Sequence, residues 1–152
     1  VMLPCILNGK EKEHSIIQEQ EEQGVIDYIS ADYLRAQLLY GLKECKIAKY
    51  FLEIVKPLKN IKSVIEALHE QNIKCIVITV GPKQVAKVAS NIWEFDDYYG
   101  SDYEVVGGVF TGKILDYIAA EQKISCLQDF CKNNSIKREE CIAVGDGSTD
   151  IP

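Results

Sequence analysis

A chain of 152 residues is long enough for one domain with a real core, or for a small core with an appendage. Its 17 Lys and Arg against 23 Asp and Glu leave a formal net charge of −6, and no basic run breaks that balance, which disfavours a phosphate-neutralising face for nucleic acid. Apolar stretches such as Cys75 to Val80 fall far short of the roughly 20 residues that span a bilayer, and nothing at the start resembles a signal peptide. The expectation is a soluble, cytoplasmic protein that binds neither nucleic acid nor membrane. Six cysteines (Cys5, Cys45, Cys75, Cys126, Cys131, Cys141) form no C-x-x-C pair and are accompanied by two histidines only, and Cys75 and Cys141 in expected strands and Cys45 in an expected helix read as small buried hydrophobes in a reducing compartment.

Along the chain, Lys10 to Gln23 is dense in Glu, Lys and Gln and ends at Gly24, a solvated helix closed by glycine. Ser30 is placed to cap a helix from Ala31 to Tyr40 with Leu34 and Leu38 on its apolar stripe, and Gly41 ends it. A third helix, about Lys43 to Val55, carries Ile47, Phe51 and Ile54 on one face until Pro57 breaks the pattern. No strand signal precedes residue 70. After Pro57 helix and strand alternate, which implies a parallel sheet covered by helices. Asn60 to Gln71 is amphipathic and leads into the strand "IKCIVIT" at 73–79, followed by a helix from about Pro82 to Asn91. "YEVVGGVFTGKI" (103–114) reads as a hairpin turned at Gly107 and Gly108. A helix from about Ala119 to Asn133 and a last strand, Cys141 to Val144, complete the series.

In open α/β sheets a ligand sits beyond the carboxyl ends of the strands. "IVITVGP" puts Thr79 at one such end, with Gly81 leaving backbone N–H groups able to approach a ligand ahead of the next helix. "IAVGDGSTD" puts Asp146 at the other, with Asp150 one turn on. A hydroxyl, a glycine and a helix N-terminus suit phosphoryl oxygens, and two carboxylates suit Mg²⁺, whose remaining positions fill with water and phosphate. A strand-to-helix turn in which Asp or Ser merely caps the next helix explains the same glycines and acids. A phosphoryl site also needs a fixed cation, which Lys123 near the start of the preceding helix could supply. Most helix lysines, however, only solvate a surface.

The order Thr79, Lys123, Asp146 and Asp150 resembles the second, third and fourth motifs of the haloacid dehalogenase superfamily, in particular its phosphoserine-phosphatase-like branch. The segment 124–144, "ISCLQDFCKNNSIKREECIAV", has the length and the helix–turn–strand pattern of that branch between its lysine and its GDG, and "VKPLKNIKSVIEALHEQNIKCIVIT" and "GVFTGKI" resemble it as well. The resemblance runs from about residue 26 to the end. It implies an α/β fold with a Rossmann-like parallel-sheet core, incomplete in this chain. Residues 1–56 would be a helical cap and 57–152 part of the core. It also implies a Mg²⁺-dependent phosphatase acting through an aspartyl-phosphate on a small phosphoester. Thr79 would then hydrogen-bond the phosphoryl group, Lys123 would neutralise nucleophile and phosphate, Asp146 would ligate Mg²⁺, and Asp150 would orient the metal shell or Lys123. "LRAQLLYGL" (34–42) resembles the cap segment whose arginine holds a substrate carboxylate, which falls on Arg35. A planar guanidinium suits that task. An exposed helix arginine is the competing reading.

Two departures stand out. The family's D-x-D nucleophile motif occurs nowhere in this chain, and Val80 stands where the branch has a glycine. A sheet without its central strand exposes unpaired edges, so the expectation is an excerpt of a larger protein whose remaining core strands come from the same chain or another. The alternative is a catalytically inactive relative that keeps the fold as a binding or regulatory module.

Overall fold

The first 56 residues carry helix signals without a strand pattern, and in a computed structural model, which describes residues 2–145, they form four helices. These are α1 (Met2–Leu7), α2 (Glu11–Glu22), α3 (Tyr28–Gln37) and α4 (Cys45–Ile54). Helix α2 closes as expected near Gly24, whose φ of 69° costs a residue without Cβ nothing. Helix α3 begins earlier than expected. Asp27 is its N-cap, with Oδ1 accepting from the Ser30 N–H at 2.8 Å, because a carboxylate at the extended position reaches the amide three residues on. Helix α1 had no sequence signal; it is held by burial of Leu3 and Cys5.

Beyond residue 56 the elements alternate. Helix α5 (Ile61–Glu70) leads to β1 (Ile76–Pro82), α6 (Lys83–Trp93), β2 (Asp97–Val106), β3 (Val109–Asp116), α7 (Ala120–Asn134) and a 3-10 turn, Arg138–Glu140. Among the described residues one sheet has the order β1-β2-β3. The first part of β2 runs parallel to β1, with Ile76 opposite Asp97 and Ile78 opposite Tyr99. Its second part runs antiparallel to β3, with Tyr103 opposite Ile114 and Val106 opposite Val109. Gly107 and Gly108 turn the hairpin at φ of 58° and 79°, the positive pair that matches the twist of the flanking strands.

The helical half is stitched to this hairpin by backbone. Gly41 and Phe110 exchange bonds with neighbouring carbonyls, Gly41 N–H to Phe110 O at 3.0 Å and Phe110 N–H to Leu42 O at 2.9 Å, around a bridge between Lys43 and Val109. One core therefore draws Leu3, Cys5, Ala36, Leu39, Leu42, Ile47 and Phe51 from the helices and Ala89, Tyr103 and Phe110 from the α/β part. Helix α6 packs on β1 and β2, α3 on β3, and α7 on β1. No helix among the described residues is long and apolar enough to cross a membrane.

The last expected strand is a correction. Residues 141–145 have no regular secondary structure, and Ile142 and Val144 are 92% and 96% exposed. An apolar β-prone run becomes a strand only where a neighbour offers a ladder of N–H and C=O groups. Among the described residues none lies beside it.

Candidate active site

Strand β1 ends in the backbone that sequence marked for a phosphoryl group. Between the Ile78–Tyr99 and Pro82–Ser101 pairs, β1 advances four residues while β2 advances two, so Thr79, Val80 and Gly81 bulge out of the ladder. Within the bulge the Gly81 N–H donates to Thr79 Oγ1 at 3.0 Å. Thr79 accepts that bond and keeps its own O–H as a donor. Gly81 and Pro82 are buried, and α6 starts immediately after them.

Two residues of β2 that sequence reasoning passed over hold the bulge in place. Ser101, fully buried, donates from Oγ to the Val80 carbonyl at 2.7 Å and accepts from the Ile118 N–H at 2.9 Å. One hydroxyl thus joins the end of β1 to the connection that enters α7. Gly100, beside it, lets β2 run against the backbone of Gly81 and Lys83. The available signal was the Gly-Ser pair inside an otherwise strand-like "DYYGSDY", since glycine in a strand often marks close backbone approach.

Helix α7 carries Lys123 in its first turn, half-buried, and packs beside β1. The structure therefore assembles Thr79, Gly81 and the helix of Lys123 on neighbouring elements. Asp146 and Asp150 lie outside the described residues. Among the described residues no group of three His, Cys, Asp or Glu side chains is arranged to hold a metal ion.

Arg35 occupies a different setting. On α3 it is only 8% exposed, and its two terminal nitrogens are committed, one to Glu21 of α2 at 2.5 Å and one to Asp32 at 3.1 Å. Asp32 also accepts from the Tyr117 hydroxyl at 2.7 Å. Burial works against the guanidinium charge, yet the two carboxylates more than offset it and raise the pKa of Arg35. Burial, reinforced by the bond to Asp32, pushes the Tyr117 phenol up. Nearby, the Arg35 Nε, the Tyr103 hydroxyl and His14 Nδ1 are buried without a hydrogen-bond partner among the described residues. Arg35 is thus the hub of an internal network, not the exposed helix arginine of the competing reading.

Comparison with known proteins bears on this arrangement. The haloacid dehalogenase-like hydrolase family matches residues 21–152. The chain is 30% identical over 146 residues to a phosphoserine phosphatase of Idiomarina loihiensis, covering 95% of this chain and 66% of that protein. It is 26% identical over 145 residues to the phosphoserine phosphatase of Streptococcus thermophilus, covering 95% of this chain and 67% of that one. The crystal structure of a probable phosphoserine phosphatase from Vibrio cholerae, in unliganded form, superposes with a TM-score of 0.82 at 22% identity, over 97% of this chain and 46% of that chain. This chain spans about two thirds of the length of the first two relatives and about half of the third.

Proposed function

From a chain that belongs to the haloacid dehalogenase-like hydrolases, in their phosphoserine-phosphatase-like branch, we propose a protein that hydrolyses a small phosphomonoester with Mg²⁺ through an aspartyl-phosphate. The observation that carries the proposal is the meeting of two elements: the helix whose first turn bears Lys123 packs beside the strand whose end bulges at Thr79 to Gly81. In this reading the Thr79 hydroxyl donates to a phosphoryl oxygen. The Gly81 amide exchanges its bond to Thr79 for one to the same group. Lys123 holds a positive charge between phosphate and an attacking carboxylate, which would otherwise repel each other. The attacking carboxylate would come from a D-x-D strand that the 152 residues do not contain.

The donors Asp146 and Asp150 are hard carboxylate oxygens, a set that fits Mg²⁺ and not a thiophilic ion. Bound there, Mg²⁺ supplies positive charge to the phosphoryl oxygens. Asp146 would be its ligand, and Asp150 would orient the metal shell or Lys123. In the same proposal residues 1–56 form the cap and 57–152 part of the core. Arg35 would read a substrate carboxylate through Nε, or through a terminal nitrogen released by Glu21, which suits a substrate such as phosphoserine. The relatives named phosphoserine phosphatase support that substrate class.

The test is Asp146→Ala in the full-length protein, assayed with phosphoserine as substrate with and without Mg²⁺. Mg²⁺-dependent release of phosphate is expected to fall to background. Turnover close to that of the unaltered protein would overturn the assignment.

A further inference from the structure

Two of the six thiols meet. Cys131, near the end of α7 and 8% exposed, and Cys141, just past the 3-10 turn and half-exposed, bring their sulfurs to 3.3 Å. Their separation is not left to a loose loop. Ser135 takes the left-handed conformation that ends α7, the Ile136 N–H returns to the Cys131 carbonyl at 2.9 Å, and Lys137 N–H bonds the Glu140 carboxylate at 2.9 Å. The Cys141 N–H then bonds the Arg138 carbonyl at 3.1 Å, which aims Cys141 back at the helix.

We propose that Cys131 and Cys141 form a dithiol–disulfide pair, a redox modification site that exchanges with small-molecule disulfides. The exposures assign the order of events. The Cys141 thiolate, reachable from solvent, attacks one sulfur of a disulfide such as oxidised glutathione, forming a mixed disulfide and expelling one thiolate. The Cys131 thiolate then attacks Cys141 Sγ, forming the internal bond and expelling the second. The protein loses two thiol protons and two electrons, and both pass to the two glutathione thiols. A sulfur 3.3 Å from its target already stands at the separation of a near-attack arrangement, about 3–3.5 Å. Closing it to the roughly 2.05 Å of a disulfide requires movement of Cys141. Its backbone is extended, and residues 142–145 after it form no helix or strand ladder that the movement would break.

The bond would fasten the segment leading toward Asp146 to the helix that carries Lys123. That consequence rests on the proposed function, whereas formation of the bond does not. The experiment treats the full-length protein, in a Cys45→Ser background that removes an exposed competitor, with oxidised glutathione. Intact mass and peptide mapping follow the product. Expected is loss of two hydrogens with a 131–141 linked peptide and no glutathione retained there, formed at least about tenfold faster in the native state than in denaturing urea. Adding Cys131→Ser should strand one glutathione on Cys141. Glutathione retained on Cys141 with Cys131 present, or bridging no faster in the native state than in urea, would overturn the pair. Because the readout is mass and not hydrolysis, failure of the phosphatase assignment would leave it untouched.

Discussion

Gly100 has no room for a side chain. A Cβ there would stand 2.7 Å from the Cα and 2.8 Å from the N of Lys83, and 3.0 Å from the Gly81 oxygen. These atoms are backbone and cannot rotate away, so Gly100→Ala must push β2 off the start of α6. The expected cost is about 1–3 kcal/mol, as for other overpacked interiors, seen as a lower thermal midpoint. An unchanged midpoint would contradict the close approach. One of the crowded atoms, the Gly81 oxygen, belongs to the Thr79–Gly81 bulge, which ties this stability effect to the proposed phosphoryl site. In sequence Gly100 and its neighbour Ser101 are marked only as a Gly-Ser pair inside a strand-like run, with nothing to say what either one touches. A glycine needed for space, at an ordinary backbone angle, leaves no mark in sequence beyond its presence, and a serine that bridges Val80 and Ile118 reveals itself only when three distant segments meet. Thr79 and Gly81, by contrast, stand out in sequence because they close an apolar strand run just ahead of a helix.

At the level of elements, helix α4 shows what periodicity can predict. Ile47 and Phe51 lie one turn apart on its apolar face and both are buried, as their spacing implies. The partner was not predictable: Phe51 meets the Trp93 ring of α6 edge-on, with centroids 5.6 Å apart. That contact joins the helical half to the α/β part. Phe51→Ala should therefore cost about 3–5 kcal/mol, measured by denaturant unfolding with an unchanged slope. A loss well under 1 kcal/mol would mean that the helix is not docked as described. The segment Cys141 to Val144 failed for the opposite reason. Helix bonds are internal to the segment, whereas strand bonds belong to a neighbour.

For the molecule as a whole, acid should act in two steps. Burial, with the positive Arg35 close by, lowers the pKa of His14 below its ordinary 6.5. The unfolded chain therefore binds this proton at a higher pH than the native one, so stability is complete above about 6.5 and falls as pH drops from there toward the depressed native value. Asp96 titrates in a second, lower window. Burial opposes its charge, but the Cys75 N–H at 2.7 Å and His69 at 2.9 Å prevail and hold the carboxyl below its usual 3.8. Its contribution is present above that value and is lost as pH falls through the depressed one. Denaturant midpoints measured across pH should flatten in the upper window for His14→Leu and keep the lower step. Identical profiles for the variant and the unaltered protein would refute the role of His14.

What the sequence determined by itself was whatever is written within a dozen consecutive residues: the amphipathic helices, the hairpin at Gly107 and Gly108, and the strand-to-helix joint at Thr79 to Gly81. Those features depend on local periodicity and turn chemistry, which act over a few bonds. The tertiary structure decided the rest. Among the described residues it drew core side chains from both halves of the chain into one cluster. It turned Arg35 inward onto Glu21 and Asp32, pinned the β1 bulge through Ser101, and set Cys131 against Cys141. Each of these unites groups far apart along the chain or across a turn. Burial and hydrogen-bond satisfaction select such contacts only once the elements have packed.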